Sequence, residues 1–224
     1  MLIAEISNQH EGNLAKAKSL INIAFDCGAD VIKSQAFMPM DFKTGTMSRD
    51  FYSQCQFCLD EYKELVDYAR SLGTDMFYTV LSEELKELES YCYPKKISAF
   101  QSDKLSIDEL RKIDNERLII SFNNQLFKTS VLKKAKCLYA INYLSDWDTK
   151  DFGKSLVYNK KLGISDHSYG IDQVLIMIKE FNIPVIEKHF YLGDQVIHDG
   201  RLYRDCIHAA NPAEFTKLAK AFKK

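Results

Sequence analysis

Short apolar runs alternate with segments of helical period along almost the whole chain. Leu2 to Ile6 reads as a first strand, and Leu14 to Cys27 as an amphipathic helix closed by Gly28. Further strands are predicted over Asp30 to Phe37, Asp75 to Val80, Lys96 to Phe100, Arg117 to Phe122, Cys137 to Asn142, Leu162 to Ser165 and Pro184 to Phe190. Helices are predicted over Cys58 to Leu72, Glu83 to Tyr91, Ile107 to Asn115, Thr129 to Lys136, Asp151 to Tyr158, Ile171 to Phe181 and Pro212 to Phe222. Repeated strand–helix alternation calls for a parallel sheet covered by helices, and eight units favour closure into a (β/α)8 TIM barrel. No G-x-G-x-x-G follows the first strand, which argues against a dinucleotide-binding sheet. No linker composition interrupts the pattern, so residues 1–224 are expected to form one compact α/β domain. The stretches Met38 to Phe57 and Tyr191 to Asn211 lack a clear period and are candidate active-site loops.

The strand ends break the apolar pattern. Glu5, Lys33 with Gln35, Thr79, Lys96, Ser121, Asn142, Ser165 with His167, and Glu187 with His189 all fall where a barrel strand meets its following loop. Lys33 and Gln35 are two residues apart and share a strand face, as do Glu187 and His189. Taken singly, Thr79, Ser121 or Ser165 would cap the next helix. A polar residue at every strand end points instead to one shared polar site, because isolated polar groups are costly to bury. Lysines and hydroxyls at such a mouth are an inventory for phosphate or carboxylate. His167 and His189 on consecutive strands are placed to chelate one divalent ion, and Mn²⁺ suits an open two-imidazole site better than structural zinc does. Glu5 and Glu187 are the acid–base candidates.

Composition narrows the classes. The 224 residues carry 30 basic and 31 acidic side chains, so nothing marks a nucleic-acid or membrane surface. No apolar stretch reaches membrane-spanning length, and Met1 to Glu5 does not read as a secretion signal, so a cytoplasmic protein is expected. The six cysteines are then expected to be reduced and mostly buried; the Cys55-x-x-Cys58 spacing has no second pair to make a metal site.

Five segments in order carry a family resemblance: Ile3 to Asn13, Val31 to Phe37, Gly163 to Ser168, Val185 to Phe190, and Asn211 to Glu214. Together they resemble the N-acetylneuraminate (sialic acid) synthase family, whose second strand usually reads V-K-F-Q and whose late strands read G-Y-S-D-H-T and E-K-H-F. The resemblance implies a TIM barrel that condenses phosphoenolpyruvate with an open-chain N-acylated amino sugar, giving a 2-keto-3-deoxy sugar acid and phosphate. It implies that His167 and His189 bind a divalent metal, Mn²⁺ with Mg²⁺ or Co²⁺ as alternatives, acting as a Lewis acid on the sugar aldehyde. Lys33, Thr79, Lys96, Ser121, Asn142 and Ser165 would hold phosphoenolpyruvate, and Gln35 and Asp205 would meet the sugar. Glu5 and Glu187 would position water or move protons.

The chain also departs from the family pattern. The usual K-I-x-S-x-E is Lys96-Ile97-Ser98-Ala99-Phe100-Gln101, and Leu144 stands where a tyrosine is expected. Ser121-Phe122-Asn123-Asn124 replaces S-T-G-M. The expected N-terminal hairpin and C-terminal antifreeze-like domain have no counterpart here; together the departures imply a changed acceptor, weakened activity, or dependence on a separate partner chain that supplies the missing domain, with a homodimer as the alternative assembly. Two other functions fit the same residues: a non-catalytic barrel binding a sugar or phosphate, and an aldolase using Lys33 or Lys96 as a Schiff base.

Overall fold

The computed structural model describes residues 1–38, 47–123, 125–140, 149–194, 197–198, 201–202 and 204–224. Eight strands close into a parallel barrel in chain order: β1 (Leu2–Glu5), β2 (Val31–Ala36), β3 (Asp75–Val80), β4 (Lys95–Ile97), β5 (Leu118–Phe122), β6 (Lys136–Ala140), β7 (Gly163–Asp166) and β8 (Ile186–His189). Pairing of β8 with β1 closes the ring, with Glu5 opposite His189. The helices are α1 (Leu14–Asp26), α2 (Met47–Cys55), α3 (Leu59–Ser71), α4 (Leu88–Tyr91), α5 (Ala99–Ser102), α6 (Ile107–Ile113), α7 (Thr149–Ser155), α8 (Asp172–Glu180), α9 (Arg204–Ile207) and α10 (Pro212–Phe222). A two-stranded antiparallel ribbon, β9 (Ile197–His198) and β10 (Arg201–Leu202), follows β8. The fold is a TIM barrel.

Local chemistry sets many of the boundaries. The Asn13 side chain accepts from Lys16 N at 2.9 Å and starts α1. Ser106 with Glu109 and Asn211 with Glu214 form reciprocal capping boxes at α6 and α10, and Pro212 fits the first turn of α10. Below the mouth the barrel is filled by apolar groups. Ile3, Phe77, Ile119 and Leu138 lie two residues before mouth positions on their strands and are fully buried.

Three predicted elements differ from what forms. The fourth strand does not run to Phe100; it ends at Ile97, and Ser98 caps α5. The helix predicted over Glu83 to Tyr91 is split into a 3-10 turn, Glu83–Leu85, and α4. Leu85 and Leu88, both buried and three residues apart, suit that tighter winding. The helix predicted over Thr129 to Lys136 is a 3-10 segment, Leu126–Val131, and Lys136 already belongs to β6. The Asp114 carboxylate accepts from the backbone N–H groups of Lys133 (2.8 Å), Lys134 (3.1 Å) and Ala135 (2.9 Å), which removes donors a helix would need. The two irregular stretches also hold unpredicted elements, α2 in the first and β9, β10 and α9 in the second. Cys55, Cys92, Cys137 and Cys206 are buried, Cys27 is half-buried and Cys58 is exposed; all are free thiols.

Gly163 shows how tightly β7 fits. A Cβ there would lie 2.4 Å from Val185 O and 2.7 Å from Leu138 Cδ2, its neighbour in register on β6. Gly163→Ala is therefore expected to destabilise the chain by about 1–3 kcal/mol through overpacking. Urea unfolding checks this; an unchanged midpoint would mean that β7 has slack.

Candidate active site

The C-terminal ends of the barrel strands surround a cavity of about 350 Å³. Ten of the twelve sequence-predicted site residues line it: Glu5, Lys33, Gln35, Thr79, Lys96, Ser121, Ser165, His167, Glu187 and His189. Strand register explains the gathering. Glu5 pairs with Lys33 and with His189, Gln35 with Thr79, Thr79 with Lys96, and Ser165 with Glu187. Asn142 lies outside the described residues. A larger groove of about 1220 Å³ lies on the outer surface between α8 and α10 and shares no lining residue with the mouth.

Four buried charges form the floor. Lys96 Nζ donates to Glu187 Oε2 and to Ser121 Oγ, each at 2.8 Å. Lys33 pairs with Glu5 and lies 3.6 Å from Glu187 Oε1. Ser165 Oγ donates to Glu187 Oε1 at 2.7 Å, and Ser7 N donates to Glu5 Oε1 at 2.7 Å. With both carboxylates ionised and both lysines protonated, the tetrad is neutral overall. That is the condition under which four buried charges are tolerable. Burial pushes the Lys33 pKa down to about 8, with Glu187 opposing the shift. For Glu187, burial acts to raise the pKa, but Lys33 and Lys96 outweigh it and hold the carboxyl well below the usual range.

Two imidazoles stand beside this floor. The His167 and His189 rings are 5.1 Å apart, centroid to centroid, and tilted by 57°. His189 closes β8 and is buried; His167 follows β7 and is half-buried. Burial lowers both pKa values, that of His189 to about 3, so both rings are neutral at physiological pH. Neutral imidazole is the form that binds metal. His189 Nδ1 is buried without a hydrogen-bond partner. These features fit an open site that holds a divalent ion through two rings. Among the described residues, no cluster of three or more His, Cys, Asp or Glu completes a closed protein cage.

Asp205, on α9, does not line the cavity. Its carboxylate accepts from Ser7 Oγ on the β1 loop and acts electrostatically on Lys33, His167 and His189. Leu81, Ser98, Phe100 and Ala140 also line the mouth and were not anticipated, while Ala99 lines it at the serine position of the K-I-x-S-x-E pattern. For Ser98 a signal existed: Ser-x-x-Gln is a helix-start pattern. Gln101 Oε1 accepts from Ser98 N and from Ser98 Oγ, both at 2.9 Å, and its Nε2 donates to Val80 O at 3.1 Å. The Gln101 side chain, at the glutamate position of the K-I-x-S-x-E pattern, is thus engaged in a cap and a backbone bond.

No family model matches the chain. Pseudaminic acid synthase from Campylobacter jejuni subsp. jejuni (serotype O:23/36, strain 81-176) is 25% identical over 229 residues, covering 87% of this chain and 66% of that protein. N-acetylneuraminate-9-phosphate synthase from Mus musculus is 33% identical over 92 residues, 35% of this chain and 25% of that protein. The crystal structure of N-acetylneuraminic acid (sialic acid) synthetase from Leptospira borgpetersenii serovar Hardjo-bovis, in complex with citrate, superposes with a TM-score of 0.80. The identity is 21%, over 99% of this chain and 82% of that chain. The chain is homologous to the sialic acid and pseudaminic acid synthases. These relatives are enzymes of carbohydrate biosynthesis, and the chain spans about two thirds (66%) of the length of the Campylobacter protein. Among the described residues, no helix is long and apolar enough to cross a membrane.

Proposed function

We propose that this chain is a sugar-acid synthase that condenses phosphoenolpyruvate with an open-chain N-acylated amino sugar or a related aldose, releasing phosphate. The observation that carries the reading is the buried Lys33–Glu5–Lys96–Glu187 cluster of two lysines and two carboxylates beside two imidazoles at the barrel mouth. Lys33 and Lys96, with Ser121, Ser165 and Thr79, offer cationic and neutral donors to the phosphate and carboxylate of phosphoenolpyruvate. The lysines exchange part of their pairing with Glu5 and Glu187 for the incoming anion. Glu187, ionised and touching both Lys96 and Ser165, is placed to stabilise positive charge and to take a proton from attacking water. Glu5 holds Lys33, Gln35 is assigned to the acceptor sugar, and Asp205, which accepts from Ser7 behind the mouth, acts on the site through its charge. His167 and His189 would hold a divalent metal, Mn²⁺ with Mg²⁺ or Co²⁺ as alternatives, which when bound supplies Lewis acidity to the sugar carbonyl. We further propose a single catalytic domain acting in the cytoplasm, alone or with a second copy or partner chain, and with neither nucleic acid nor membrane as a partner.

The test is phosphate release from phosphoenolpyruvate with Mn²⁺ and a panel of N-acylated amino sugars and simple aldoses. Release with at least one acceptor is expected, and it should be lost on chelation. A second reading, a barrel that binds without turnover, is favoured by the engagement of Gln101 and by Ala99 at the mouth. Phosphoenolpyruvate binding with no release from any acceptor would select it. The low Lys33 pKa keeps the Schiff-base aldolase as the third outcome, revealed by borohydride trapping with a keto acid.

A further inference from the structure

The strands that carry the two histidines are fastened on both faces. On the mouth side, Ser165 Oγ donates to Glu187 Oε1 at 2.7 Å. The next residues, Asp166 and Lys188, point away from the mouth, as strand alternation requires, and neither lines the cavity. Their side chains are wholly buried and form an ion pair at 2.7 Å. Lys188 Nζ also donates to Ser168 O at 2.7 Å, and Asp166 Oδ1 accepts from Ser168 N at 2.9 Å. The residue before His167 and the residue after it are therefore both tied to Lys188, the residue before His189.

The position of this pair along the strands matters. The β7–β8 ladder runs through Ile164–Ile186 and Ser165–Glu187 and ends at Asp166–Lys188. His167 lies past the ladder, while His189 pairs with Glu5 on the other side. Backbone pairing between β7 and β8 thus stops short of His167, and Lys188 reaches across to both of its neighbours, through the Asp166 carboxylate and Ser168 O. Stability alone does not account for it. A buried ion pair loses hydration from both partners and is often no more stabilising than two apolar side chains of similar size.

We propose that Asp166 and Lys188 are positioning residues that hold His167 opposite His189 for a shared divalent cation. The inference rests on the metal reading of the two histidines. It follows the rule that groups one layer behind a metal site orient the ligands and tune affinity.

The experiment compares the parent chain, Asp166→Leu/Lys188→Met and His189→Ala. Mn²⁺ affinity is read from the electron paramagnetic resonance signal of free Mn²⁺, well below each variant's melting transition, and stability is read from urea unfolding. The double variant removes both charges together but also the partners of Ser168 N and Ser168 O, so it is expected to fold with a modestly lower midpoint than the parent. Its Mn²⁺ affinity should fall about 10- to 100-fold, and that of His189→Ala by more than about 100-fold. Parent-like affinity in the folded double variant overturns the positioning role while leaving the metal reading intact. A parent that does not bind Mn²⁺, or a His189→Ala variant that binds like the parent, overturns both. If the double variant does not fold, Asp166→Asn takes its place. The amide keeps the bond from Ser168 N but leaves the buried Lys188 ammonium without its counter-charge, so a lower urea midpoint is expected beside a smaller drop in affinity, and an unchanged affinity in the folded variant overturns the proposal.

Discussion

Replacing Glu187 with glutamine is expected to destabilise the barrel by about 3–5 kcal/mol and to slow phosphate release by about 100- to 10,000-fold. The substitution keeps the shape of the side chain and removes its charge. Glu187 Oε2 accepts from Lys96 and Oε1 accepts from Ser165, with Lys33 3.6 Å away. All three charged side chains at this contact are less than a tenth exposed. In the variant, Lys33 and Lys96 keep Glu5 as their one directly paired carboxylate, with Asp205 acting on Lys33 from farther away, so Lys96 loses its ion pair at a buried position. The folded pKa of Glu187 lies below its unfolded value near 4.5, so its contribution is present above that pH and is lost on acidification. Glutamine cannot ionise, so the variant should lack this part of the acid sensitivity. Urea unfolding at pH 7 and pH 4 measures both effects. A loss below about 1 kcal/mol at pH 7 would show that the lysines do not depend on Glu187.

His189→Ala should give the opposite balance. Mn²⁺ affinity is expected to fall by more than about 100-fold, since loss of a direct ligand should exceed the 10- to 100-fold typical of groups behind it. The metal-free fold should survive, because the substitution removes a buried ring nitrogen that has no hydrogen-bond partner and opens space into an existing cavity. Linkage supplies a second readout. Burial holds the His189 pKa at about 3, against 6.5 when unfolded. Between those values the unfolded chain binds the extra proton, so stability falls as pH drops through the window. The variant should show a shallower fall between pH 7 and pH 5. Unchanged Mn²⁺ affinity would rule out the two-histidine site.

The eight strand–helix units were legible because burial on both faces turns parallel strands into short apolar runs, while helices between them keep a 3.6 period. Parity along a strand placed Lys33 with Gln35 and Glu187 with His189 on the mouth side. Errors fell where local hydrogen bonds compete with the pattern. Ser98 and Gln101 turn a predicted strand into a capped helix, and the Asp114 carboxylate takes backbone donors from a predicted helix. The ribbon and α9 after β8 were missed because elements two to four residues long have no period to detect.

The order of elements, the barrel class and the residue types at the strand ends were determined by the sequence, since each depends on spacing within a few residues. The pairing of those ends was decided only by closure of the barrel. Lys96 meets Glu187 across 91 residues of chain, and Ser7 meets Asp205 across 198. No local pattern encodes such contacts; they exist because ring closure and strand register bring the ends of distant strands to one mouth. The Asp166–Lys188 pair is of the same kind. The residues of the SDH and EKH motifs could be read directly, but that their middle members clasp behind the histidines follows from β7 lying beside β8.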